Sequence, residues 1–148
     1  MSVLAFGAVF GIALVNGSSM SPAINAGDCL LFVRRGEYRR GDIVLFCRAG
    51  DLEDEYIKRI IALPGERVDI SADGIVLING AAIDEPYASG QTIGDGSVQF
   101  PLLLGADEYF VLGDNREVSH DSRRIGAVAR GSLLGRVVIV LRLSGKQN

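Results

Sequence analysis

Three segments of the chain carry residue types that can do chemistry together. They are a serine in the turn Gly17-Ser18-Ser19-Met20-Ser21-Pro22, a lysine in the apolar run Tyr56-Ile57-Lys58-Arg59-Ile60-Ile61, and the polar stretch Gly113-Asp114-Asn115-Arg116-Glu117-Val118-Ser119-His120-Asp121-Ser122-Arg123. A serine hydroxyl is a poor nucleophile at neutral pH and needs a base within hydrogen-bond reach. A lysine is that base only when its amine is neutral, well below the free pKa of about 10.4. Burial supplies the shift, because loss of water disfavours the ammonium form. In an extended strand Tyr56, Lys58, Ile60 and Ala62 share one face, and Ile57, Arg59, Ile61 and Leu63 take the other. Lys58 therefore has a nearly apolar face around it. Spacing alone is equally compatible with an edge-strand lysine that guards against aggregation.

His120 is the only histidine and stands beside Asp121, which invites a Ser-His-Asp reading. Adjacent residues of an extended loop point in different directions, so Asp121 is badly placed to orient that ring. Ser119 and Asp121, at alternate positions, can face one site together. His120 is accordingly read as an outward loop residue. No group of His and Cys has metal-ligand spacing, the acidic run Asp51, Glu53, Asp54, Glu55 reads as a solvated loop, and neither a metal nor another cofactor is expected.

Four separated segments, taken in order, resemble the boxes of the type I signal peptidases, the S26 peptidase family. They are Gly17 to Pro22, Arg40-Gly41-Asp42-Ile43-Val44, Tyr56 to Glu66, and Gly113 to Arg123, a span from about Val15 to Arg123. The resemblance implies Ser19 as nucleophile and Lys58 as general base. It implies Ser119 as the hydroxyl that positions the lysine amine, with Asp121 and Arg123 as a supporting ion pair. Met20 would wall the substrate site, and Gly113, Asp114, Asn115 and Arg116 would build the loop presenting Ser119. The implied activity is a membrane serine endopeptidase on the extracytoplasmic side, removing signal peptides from exported preproteins after small residues of the Ala-x-Ala type. Two positions depart from the pattern: Ala23 stands where threonine is usual, and Gly17 where some members carry a serine that helps form the oxyanion hole. The hole would rest on the Ser19 backbone NH. A lost donor costs about 2.7 to 4 kcal/mol of transition-state stabilisation. Two other readings are a Ser/Lys peptidase with one dedicated substrate, as in conjugation, pilin maturation or a self-cleaving repressor, and a non-catalytic β-domain that binds exported chains. No helix-turn-helix precedes Ser19, which counts against a repressor.

The elements that must position these groups read as strands. At 148 residues the chain fits one domain, and a net charge of -3 gives no footprint for nucleic acid. Residues 1–14 are expected as an apolar, membrane-associated segment in contact with lipid, and residues 15–145 as the catalytic β-domain. The uncharged run from Ser2 to Val15 is short against the roughly 20 residues a membrane-spanning helix needs. Cys29 to Val33 and Ile43 to Cys47 suggest a hairpin that sets Cys29 nearly opposite Cys47, where an oxidising compartment permits a disulfide. Asp73-Gly74 and Asn79-Gly80 suit tight primed turns. Ser89 to Ser97 reads as an exposed loop, and Arg136 to Leu141 as a buried closing strand. The fold class is mainly β: coiled antiparallel sheets, which the resemblance places with the signal peptidases and repressor autoproteases.

Overall fold

The computed structural model describes residues 9–48 and 51–142. The order along the chain is β1 (Phe10–Leu14), β2 (Cys29–Val33), β3 (Ile43–Arg48), β4 (Asp51–Ala62), β5 (Arg67–Ile70), β6 (Val76–Ile78), β7 (Ala81–Ala82), β8 (Leu102–Leu103) and β9 (Glu108–Leu112). There follow a single helical turn, α1 (Ser122–Ile125), then β10 (Val128–Ala129), a 3-10 turn (Arg130–Ser132) and β11 (Leu133–Leu141). Two antiparallel sheets result. One has seven strands in the order β1-β2-β11-β3-β4-β9-β10, and the other has four in the order β7-β6-β5-β8. The mainly β class and antiparallel sheets read from the sequence are what the chain adopts.

Three apolar clusters hold the sheets. Ile61, Ala62, Phe110 and Leu112 of the large sheet pack with Val68, Val76 and Ile78 of the small one, so this cluster joins the two. Val44 and Phe46 on β3 share a second cluster with Val128 on β10. Those strands are separated by β4 and β9 in the sheet order, so the sheet must coil for them to meet. Val15, Met20, Ile24 and Leu30 form the third, with Ile43, Ile57, Val137 and Val140 packed against it. It lies under the turn that carries Ser19.

Several local expectations are corrected. The β2–β3 hairpin does not form, because β11 inserts between the two strands and pairs with both. Cys29 stands opposite Leu14 and Leu141, Cys47 stands opposite Glu55, and the two form no disulfide. The closing strand is not buried along its length: Val138, Ile139 and Leu141 are exposed, with a register shift between Val137 and Ile139. The Asn79-Gly80 turn has the expected positive φ at both residues, 52° and 83°. At Asp73-Gly74 only the glycine is positive, at 79°, and the turn is wider, with Gly74 N–H donating to Ser71 O and Ser71 N–H to Ile75 O. The alternation along β4 also breaks. A shift in its pairing with β9 between Ile60 and Ala62 puts Ala62 with Ile61 in the inter-sheet cluster, while Ile60 faces the other.

Phe10–Leu14, inside the segment expected to associate with the membrane, is an edge strand paired with β2, and residues 1–8 of that segment lie outside the described residues. Among the described residues no helix is long and apolar enough to cross a membrane.

Candidate active site

Ser19 lies in the connection from β1 to β2, which is pinned at its base. Val15 N–H donates to Asp28 O and Gly27 N–H to Val15 O, each at 2.9 Å. Ile24 N–H donates to Met20 O at 2.9 Å, and the side chains of Met20 and Ile24 are buried in the cluster below. Gly17, two residues before Ser19, has φ +140°, a conformation that side-chain-bearing residues rarely adopt. The turn therefore holds Ser19 up from a fixed floor.

Lys58 comes to it from the middle of β4. Its Nζ is 2.9 Å from Ser19 Oγ and 2.9 Å from Ile57 O, and the residue is only 3% exposed. Burial lowers its pKa from 10.5 to about 8, against the opposing pull of the Asp121 carboxylate. A neutral amine is thus well populated near pH 8. In that form Nζ carries a lone pair able to accept a proton from Ser19 Oγ, with one of its own hydrogens left for the Ile57 carbonyl.

The polar loop after β9 braces this pair. Asn115 N–H donates to Ser19 O at 3.0 Å, and Asn115 Nδ2 donates to Ser18 O at 3.3 Å. Gly113 passes so close that a Cβ there would stand 2.6 Å from Ser19 O and 2.5 Å from Ser119 Cβ. Asp114 is fully buried and is held by Arg59, whose Nε and Nη2 donate to its two oxygens at 2.8 and 2.6 Å. Asp121 caps α1, accepts from Gly113 N–H at 3.0 Å, and binds Arg123 at 2.8 and 2.9 Å. Burial pushes the Asp121 carboxyl up, but the Arg123 guanidinium, helped by the nearby Ser119 hydroxyl and the Gly113 N–H, outweighs it, so the group stays below its ordinary value.

The site residues read from the sequence fall in one connected region: Gly17, Ser19 and Met20 on the β1–β2 connection, Lys58 on β4, Gly113, Asp114, Asn115, Arg116, Ser119 and Asp121 on the loop after β9, and Arg123 in α1. Ser119 is enclosed beside Gly113, yet its Oγ makes no well-formed hydrogen bond, so the implied bond to the lysine amine is not made in this structure. His120 is exposed. Sequence reasoning missed Glu85, Tyr87 and Thr92. The last two stack on or bond to Arg59 and Arg116, and Glu85 pairs with Arg116. They sit in a stretch without periodicity or motif, and no sequence signal marks them.

A cleft of about 470 Å³ leads to the pair, lined by Ala13 to Gly17 and Met20 on one side and by Asp54 to Lys58 on the other. Among the described residues each wall is a strand with a single ladder partner. β1 pairs only with β2, and β4 up to Lys58 pairs only with β3, since β9 joins at Arg59. Strands with a single ladder partner on both sides of a cleft can take up an extended peptide through main-chain hydrogen bonds.

The chain is also similar to known proteins. A family model described as signal peptidase, peptidase S26, matches residues 1–142. The chain is 39% identical over 135 residues to a probable signal peptidase I-2 of Synechocystis, covering 84% of this chain and 60% of that protein. It is 34% identical over 146 residues to signal peptidase I of Bacillus caldolyticus, covering 87% and 78%. Among solved structures it is similar to a signal peptidase I from Enterococcus faecalis, with a TM-score of 0.58 and 30% identity, covering 70% of this chain and 98% of that one. The chain thus spans about 60% of the length of the Synechocystis relative.

Proposed function

The chain belongs to the signal peptidase family, peptidase S26, and on that premise we propose that it is a serine endopeptidase that removes signal peptides from exported preproteins with Ser19 as nucleophile and Lys58 as general base. The observation that carries this reading is the 2.9 Å contact between Ser19 Oγ and the buried Lys58 Nζ. Lys58 takes the hydroxyl proton as Oγ attacks the scissile carbonyl. The carbonyl electrons move onto oxygen, which the Ser19 backbone N–H would hold. The lysine then protonates the leaving amine, an acyl-enzyme remains, and the same amine draws a proton from the water that hydrolyses it.

Specificity follows from the cleft. A substrate strand laid between β1 and β4 is held by its backbone, and alternate side chains point into the floor beside Met20, which is itself packed against Ile24 and has no slack. Small residues of the Ala-x-Ala type fit such a floor. Lipid contact is supported by an exposed apolar face next to the cleft. Ile12 on β1 and Ile139 on β11 are both in register with Leu31, and Leu14 and Leu141 are both in register with Cys29, so laterally paired side chains share one face. All four outer residues are exposed. On this reading the catalytic domain works at the cell membrane, on its extracytoplasmic side.

The test is incubation of the purified chain with a precursor whose signal ends in Ala-x-Ala, beside a Ser19→Ala control, with the cut located by mass spectrometry. Cleavage after the second alanine, lost in the control, is expected. A substrate with phenylalanine immediately before the scissile bond should lose at least about a hundredfold in kcat/KM, since burying a misfit side chain costs about 1–3 kcal/mol and also displaces the carbonyl. Undiminished cleavage of that substrate would rule out a small-residue site.

A further inference from the structure

Around the catalytic loop two buried arginines, Arg116 and Arg123, and the half-buried Arg59 face three carboxylates. Arg59 pairs with Asp114 and Arg123 with Asp121, so these two pairs are closed within the strand and loop that carry the site. Arg116 is different: its carboxylate comes from elsewhere. Between β7 and β8 of the small sheet the chain crosses to the large one, and Glu85 there grips the Arg116 guanidinium with both oxygens, at 2.8 and 3.1 Å. Thr92 Oγ1 accepts from the same guanidinium, and the Tyr87 ring lies 4.2 Å from that of Arg59. Ser89 adds backbone bonds, its N–H donating to Asp114 O and its carbonyl accepting from Arg116 N–H, both at 2.8 Å. The segment from Glu85 to Thr92 is therefore a strap across the back of the loop, opposite to the face that meets Ser19.

Resting on the reading of Ser19 and Lys58 as the reacting pair, we propose that Glu85 is a positioning residue for the peptidase reaction, acting through Arg116 on the loop that holds the Ser19 backbone. Arg116 Nε donates to Gly113 O at 2.9 Å, so its guanidinium ties its own position back to the start of the loop, while Arg123 Nη2 donates to Arg116 O at 2.7 Å and holds the backbone there. Asn115, which lies between Gly113 and Arg116, makes the 3.0 Å bond to Ser19 O. The Arg116 side chain is almost completely buried, and a buried guanidinium stripped of its carboxylate must shift or draw in water. Either response moves Gly113 and Asn115, and with them the nucleophile. None of the residues from Glu85 to Thr92 lines the substrate cleft, so the effect falls on turnover rather than on substrate binding.

Steady-state cleavage of the Ala-x-Ala precursor by the full chain tests this, with thermal unfolding measured on the same samples. Glu85→Gln keeps the shape and removes the charge. It should lower kcat by about tenfold to a hundredfold, the scale of a displaced reacting group, with KM within about threefold of the parent. Thr92→Val, a milder change, should lower kcat in the same direction by less. The double variant Glu85→Leu with Arg116→Met removes both charges and can regain stability, as replacement of a buried ion pair by apolar residues often does. Its Tm should return toward the parent while kcat stays low, because Gly113 O has lost its donor. A parental kcat in folded Glu85→Gln and Thr92→Val, a loss confined to KM, or recovery of kcat together with Tm in the double variant overturns the proposal. Failure of the parent itself to cleave would instead sink the peptidase reading on which it rests.

Discussion

Lys58→Arg should abolish turnover although the positive charge is kept. The guanidinium stays protonated throughout the working range and cannot accept the Ser19 proton. The parent amine can, because burial brings its pKa to about 8. Loss of the activating base from a serine nucleophile is felt on a scale of about 10⁴-fold or more in kcat, and that is the loss expected here. Because a larger side chain at a residue 3% exposed can disturb packing, Lys58→Met is the companion. It keeps an unbranched apolar stem of similar length and should be equally inactive while unfolding no earlier than the parent. Residual activity in either variant within about a hundredfold of the parent would mean that another group takes the proton.

The second large effect is expected at Gly113→Ala. Gly113 is not in the left-handed region, so its φ alone does not demand glycine. The reason is contact: the added methyl would stand 2.6 Å from Ser19 O and against the Ser119 side chain, and the carbonyl is backbone that cannot swing aside. Either the loop or the nucleophile turn must retreat. Displacement of about 1 Å costs about a hundredfold in rate, and the overpacking costs about 1–3 kcal/mol of stability. kcat should therefore fall by about that factor with a Tm lower by several degrees, measured by steady-state kinetics and calorimetry. Gly131→Ala, at a glycine with open space around it and no positive φ, should leave kcat unchanged.

Much of the site is legible in the sequence because its parts are local. The Ser19 turn, the Lys58 run and the Gly113 to Arg123 loop are each contiguous, and their residue types announce their chemistry. The Asn79-Gly80 turn is legible for the same reason, since both of its positive φ angles are set by neighbouring residues. What escapes the sequence is long-range. Cys29 to Val33 and Ile43 to Cys47 read as a hairpin because they are close in sequence and both β-rich, but the strand between them, Leu133–Leu141, lies about a hundred residues further on, and nothing local selects it. The cysteine pairing falls with that register. The break in alternation at Ile60 to Ala62 arises because β4 serves two apolar clusters at once, which a one-sided pattern does not disclose. Glu85 and Thr92 are invisible for a similar reason: their partner, Arg116, is supplied by the fold.

The Ser/Lys mechanism is tested most directly by the pH dependence of kcat/KM for the parent chain beside His120→Ala. The reactive form is the neutral amine, so activity should rise with pH through the depressed lysine pKa of the free enzyme, near 8, and approach a plateau above it. His120 is exposed and outside the Ser19–Lys58 contact, so its replacement should leave the profile in place. A rising limb centred near the ordinary histidine value of about 6.5, removed by His120→Ala, would contradict Lys58 as the general base.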